Sequence, residues 1–149
     1  ALLEHVEWLR TLPFYIDLGD VLLVHAGLNP NKPLEAQSQM DFCWIRHVFH
    51  SHPKPFFEDK KVITGHTITF TLPGVKPGQI AQGPGWLDID TGGYHPRSGW
   101  LTALDFDHGL VYQANTHTQK KRLRALESVL ATVSPSAVNK RRERTAKAS

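Results

Sequence analysis

The chain has 149 residues, 40% of them hydrophobic, which is enough for one domain-sized core. Its net charge of +3 is unevenly spread: residues 1–118 hold 8 Lys/Arg against 12 Asp/Glu, while residues 119–149 hold 9 against 2. The basic character therefore belongs to a C-terminal segment, which argues against a nucleic-acid-binding domain with a basic stripe on its folded part. No apolar run approaches the ~20 residues of a membrane span, and none has the flanks of a signal peptide.

In chain order, Leu2, Leu3, Val6 and Leu9 share one helical face, and Pro13 ends that pattern. Two strand-like runs, Phe14–Leu18 and Val21–His25, join at Gly19-Asp20 and predict a hairpin. Asn29–Pro33 is loop. Residues 38–50 predict a helix with Phe42, Ile45 and Phe49 on one side, broken by the run from His50 to Pro55. Lys61–Thr64 predicts a short strand ending at Gly65. Pro73–Gly85, with three prolines and four glycines, predicts a long loop. Trp86–Asp90, Trp100–Asp105 and Leu110–Ala114 predict strands, the last two joined at Asp107-His108-Gly109. Leu123, Leu126, Leu130 and Val133 are spaced for one helical face over 120–133, and the polar, basic residues from Ser134 onward predict disorder. The single cysteine, Cys43, excludes an internal disulfide framework and fits a reducing, cytoplasmic compartment.

Nine histidines are present. His5, His47, His50, His52, His108 and His117 lie in polar or helical contexts and read as surface or hydrogen-bonded residues. His25 and His66 differ. Each lies just past a predicted strand beside a glycine, on a rigid platform with room for an ion or substrate to approach. Imidazole is the commonest side-chain ligand of zinc, manganese or iron. From these residues alone the pair is either two capped structural histidines or one shared metal site. Arg46 is either a helix-surface arginine or an anion ligand. Asp90 reads as a turn residue that accepts backbone N–H bonds. The four tryptophans read as packing.

Four segments, in order, carry a resemblance. Leu23-Val24-His25-Ala26-Gly27-Leu28, Trp44-Ile45-Arg46, Ile63-Thr64-Gly65-His66-Thr67 and Leu87-Asp88-Ile89-Asp90-Thr91-Gly92-Gly93 resemble motifs of the calcineurin-like metallophosphoesterase superfamily, in the form of its bacterial serine/threonine phosphoprotein phosphatases. The resemblance covers roughly residues 1–117. It departs at Ile68, where members commonly carry proline, and over Tyr94–Gly99. The family's Gly-Asp-x-His, Gly-Asp-x-x-Asp-Arg-Gly and Gly-Asn-His-Glu motifs are absent from this sequence.

The resemblance implies a mixed α/β fold, about half of a β-sandwich flanked by helices, over residues 1–118. A C-terminal helix at 119–133 and a disordered basic tail at 134–149 follow. It implies metal-dependent phosphoester hydrolysis of the protein serine/threonine phosphatase type. His25 and His66 would hold one of two divalent ions, manganese foremost with iron or zinc as alternatives. Arg46 would bind the substrate phosphate. The general acid would come from one of the absent motifs, so the sequence reads as the C-terminal half of such a domain, inactive and marginally stable by itself. The implied partner is a phosphorylated protein or a small phosphoester, with no membrane and no nucleic acid, and the basic tail is free to meet an acidic partner. A diadenosine tetraphosphate or other small-phosphate hydrolase and a non-catalytic binding module with a basic tail are the competing readings.

Overall fold

Side-chain alternation along short apolar strands sets the architecture. In the computed structural model, which describes residues 2–147, β1 (Tyr15–Asp17) and β2 (Val21–Val24) form the expected antiparallel hairpin. β3 (Lys61–Thr64) lies parallel to β2, and β5 (Trp86–Asp88) lies parallel to β3. β4 (Ile80–Gly83) pairs antiparallel with β5 and parallel with β9 (Leu130–Thr132), giving a six-stranded sheet of order β1-β2-β3-β5-β4-β9. β6 (Trp100–Asp105), β7 (Leu110–Asn115) and β8 (Lys121–Ala125) form a second, three-stranded antiparallel sheet.

The two faces of the larger sheet bury different partners. Leu22, Val24, Val62 and Trp86 pack on one side with Phe42, Phe49 and Val138 from the helices α2 (Gln39–Trp44), α3 (His47–His50) and α4 (Pro135–Lys147). Val21, Ile63, Ile80 and Leu87 pack on the other side with Val111 of the second sheet and with Val129. The chain is thus a mixed α/β structure with helices on one face of a sheet and a second sheet on the other.

Several elements differ from the sequence expectation. The predicted helix at 38–50 is broken between Trp44 and His47, where Arg46 takes a non-helical conformation. A capping box starts its first piece: the Ser38 hydroxyl accepts the Asp41 N–H, and the Asp41 carboxylate accepts the Ser38 N–H. The predicted loop Pro73–Gly85 contains β4, because Ile80 and Ala81 are fully buried and need their backbone groups paired.

The predicted helix over 120–133 is strand, 3-10 turn and strand: β8, Leu126–Ser128 and β9. Its helical spacing of leucines is coincidental. Leu123 stays exposed on β8, whereas the turn redirects Leu126 and Leu130 into the core between the sheets. Both sheets therefore need residues from the 119–133 segment, so the folded unit continues past 118. The expected disorder from 134 onward gives way to α4, with Pro135 at its first position, where a missing N–H costs nothing. Val138, only 6% exposed, anchors this helix. Residues 148 and 149 of the predicted tail lie outside the described residues.

Some apolar surface is uncovered. The helix α1 (Leu2–Arg10) forms as expected but buries none of its residues. Phe14 and Ile16 beside it are about half exposed, and Leu101, Tyr112 and Leu123 project from the outer face of the second sheet. Among the described residues no helix is long and apolar enough to cross a membrane.

Candidate functional site

Three parallel strands, β2, β3 and β5, end at the same edge of the large sheet, and in α/β sheets ligands gather at such carboxyl ends. The register pairs Leu23 with Ile63 and Thr64 with Asp88, so the residues just beyond these pairs come together. Beyond β2 is His25 and beyond β3 are Gly65 and His66. The Gly65 N–H donates to the His25 carbonyl at 2.9 Å, which carries the parallel pairing one step past the strands.

The chain then turns sharply. His66 has φ +66°, a left-handed conformation uncommon for a residue with a Cβ, and the Thr67 N–H closes a tight turn on the Gly65 carbonyl at 2.7 Å. This turn swings the His66 ring over His25. The ring centroids lie 4.9 Å apart at 60°, and His25 Nε2 stands 3.1 Å from His66 Nδ1. Two residues 41 positions apart in sequence, exposed His25 and half-buried His66, thus face each other through nitrogen atoms.

The two rings share a hydrogen bond at this distance, with the donor set by the tautomers, and the same separation also fits a shared cation. Two nitrogens each about 2.0–2.1 Å from one ion stand roughly 2.9–3.4 Å apart for angles between square and tetrahedral. The protonation state fits too. Burial foremost, then the Arg46 guanidinium and the His25 ring, push the His66 pKa below the usual imidazole value, against the pull of Asp90. A neutral ring is the ligating form. Its Nε2 is buried without a hydrogen-bond partner among the described residues. Two imidazoles alone do not complete a coordination sphere, and no group of three or more His, Cys, Asp or Glu side chains capable of holding an ion occurs among the described residues.

Arg46 sits in the break between α2 and α3. Its Nη1 donates to the His66 carbonyl at 3.2 Å, which sets the exposed guanidinium beside the histidine pair. The Trp44 ring meets His66 edge-on at 5.5 Å. All three predicted site residues are therefore brought together. Asp90, beyond β5, acts as read from the sequence: its carboxylate accepts the Gly92 N–H at 3.0 Å. It also lines, with His66, Thr91 and Gly93, a cavity of about 220 Å³ at the strand ends.

Gly27 has a different role from the one its position suggested. A Cβ there would lie 2.7 Å from the Phe49 ring, so the glycine admits α3 and not a ligand. His50 and Asp88 were not visible as a unit in sequence. His50 is 1% exposed and Asp88 0%, and Nε2 lies 3.2 Å from Oδ2. His50 Nδ1 donates to the Arg46 carbonyl at 2.8 Å, while Asp88 Oδ1 accepts the Asp90 N–H at 3.0 Å. A carbonyl only accepts, so Nδ1 carries a hydrogen and the Nε2···Oδ2 contact holds one further proton between its two partners. Burial pushes the Asp88 pKa up to about 6, against the pull of His50. The pair ties the backbone of Arg46 to the strand end that carries Asp90. The only sequence signals for it were a histidine in an apolar helix face and an aspartate closing an apolar strand.

No family model, curated protein or solved structure matches this chain. The functional reading rests on its residues and their geometry.

Proposed function

We infer that this chain supplies part of a metal-dependent phosphoester hydrolase centre, of the calcineurin-like kind and of the protein serine/threonine phosphatase type. The observation that carries the reading is the contact of His25 Nε2 with His66 Nδ1 at 3.1 Å, at the ends of parallel strands and beside Arg46. His25 and His66 would hold one divalent ion, with manganese foremost and iron or zinc as alternatives. Bound there with a second ion, it would supply charge neutralisation and an acidified water for attack on phosphorus.

The chain's own residues perform the rest. Arg46 presents a planar fork of donors that matches two phosphoryl oxygens. Its main chain is fixed by His50 and its side chain by the His66 carbonyl, so little freedom remains to be lost when phosphate binds. Asp90 organises the glycine turn at the floor of the site by accepting the Gly92 N–H. In this reading the additional ligands and the general acid would be supplied by the family's Asp-, Asn- and His-bearing motifs. The uncovered apolar faces of α1, β1 and the second sheet are suited to packing against such a contribution.

The test is hydrolysis of a phosphomonoester by the complete gene product with manganese. His25→Asn should lower kcat/KM by at least a hundredfold, whereas His108→Asn, on an exposed hairpin, should leave it unchanged. Manganese-dependent hydrolysis at the parental rate in His25→Asn would remove the assignment.

A further inference from the structure

The C-terminal helix plays no part in the site as described, yet it reaches it. α4 packs on α3 through Val138, and its next turn carries Arg141 and Arg142. Arg141 donates to the Thr71 carbonyl, and Arg142 Nη1 lies 3.4 Å from His47 Nδ1. Between α3, α4 and the segment following β3 is a cavity of about 310 Å³. Buried Leu72 and Val138 lie at its base, and the exposed guanidiniums of Arg46, Arg141 and Arg142 line its rim. No carboxylate lines it among the described residues.

Two further observations point to an anionic occupant. The Thr67 side chain lines the cavity, is 6% exposed, and its Oγ1 has no hydrogen-bond partner among the described residues. A buried hydroxyl without a partner costs free energy that a ligand oxygen would recover. Thr67 also directly follows His66, and Arg46 donates to the His66 carbonyl, so this cavity adjoins the histidine pair and shares Arg46 with it.

We propose that the cavity is an anion subsite, in which Arg46, Arg141, Arg142 and the Thr67 hydroxyl bind the distal phosphoryl group of a small oligophosphate. In the small-phosphate form of the phosphoesterase reading, as distinct from its phosphoprotein form, the reacting phosphoryl group of the same substrate would lie at His25 and His66. The placement of that reacting group rests on the phosphoesterase reading, whereas the subsite itself does not. Three guanidiniums around an apolar base hold a polyanion strongly, because the low-dielectric base strengthens each charge-assisted hydrogen bond. Orthophosphate, with fewer oxygens and less charge, engages fewer of these donors at once. The basic C-terminal segment thereby becomes a substrate-binding element of the fold.

Calorimetric titration of the full chain, stripped of divalent ions by chelation, tests this with inorganic tripolyphosphate and orthophosphate as probes. Tripolyphosphate should bind at least tenfold more tightly than orthophosphate. Arg141→Gln with Arg142→Gln should remove at least tenfold of that affinity, and each single substitution part of it, with the circular dichroism spectrum unchanged. Lys140→Gln, on the same helix but outside the cavity, should match the parent. Equal affinity for the two probes, an undiminished affinity in the double variant, or an equal loss in Lys140→Gln would each overturn the subsite. His25→Asn separates the two readings. If it retains hydrolysis while the double variant loses tripolyphosphate, the subsite stands and the phosphoesterase reading falls. If it abolishes hydrolysis while the double variant binds normally, only the subsite falls.

Discussion

Replacing Asp88 by asparagine isolates the buried proton between Asp88 and His50. The folded-state pKa of Asp88 is about 6 and the unfolded value 3.8. A raised folded pKa means that the contribution is complete below pH 3.8 and is lost as the pH rises through about 6. The gap of about two units corresponds to about 3 kcal/mol, since one unit is ~1.4 kcal/mol. Asparagine keeps the shape, and its N–H donates to His50 Nε2 without any shared proton, so Asp88→Asn should lose this pH dependence. His50→Ala is the complementary change. It removes the imidazole donor from the Arg46 carbonyl, which keeps the backbone N–H of residue 50, and leaves Asp88 Oδ2 without its partner in the core while Oδ1 keeps the Asp90 N–H. Breaking a buried pair in this way costs about 3–5 kcal/mol. Urea unfolding followed by tryptophan fluorescence from pH 4 to 8 measures both. A pH profile for Asp88→Asn that coincides with the parent between pH 4 and 7 would refute the shared-proton argument.

Gly27→Ala should destabilise by about 2–5 kcal/mol, combining backbone strain at positive φ with overpacking against Phe49. A loss under 1 kcal/mol in the same unfolding assay would show that α3 is not seated against that glycine. Ser38→Ala removes one half of the capping box of α2 and should cost about 1 kcal/mol. Thermal unfolding indistinguishable from the parent would contradict the cap's contribution.

What the sequence made legible followed from local pattern. The apolar run Val21–Val24 is followed by His25 and the short Lys61–Thr64 by Gly65-His66, and both runs form strands at the site. Their parallel neighbourhood, which alone makes His25 and His66 face each other, depends on non-local pairing and was invisible to periodicity. The leucines of 120–133 misled because a 3-10 turn between two strands reproduced helical spacing. β4 was hidden because the prolines and glycines around Ile80 and Ala81 signal turns more strongly than two buried residues signal a strand. α4 was hidden because among its described residues one buried valine, Val138, and not an apolar stripe, anchors it. At the site, Arg46 was suggested by its motif, but its contact with His66 and the buried His50–Asp88 support behind it arise only from tertiary packing.

The claim that His25 and His66 share one divalent ion is tested most directly by imidazole NMR during manganese titration of the full chain. The ring signals of His25 and His66 should broaden together at the lowest manganese additions, ahead of those of His108 and His117, and His25→Asn should abolish that selective broadening at His66. Broadening of all histidines alike, or unchanged selective broadening of His66 in His25→Asn, would contradict it.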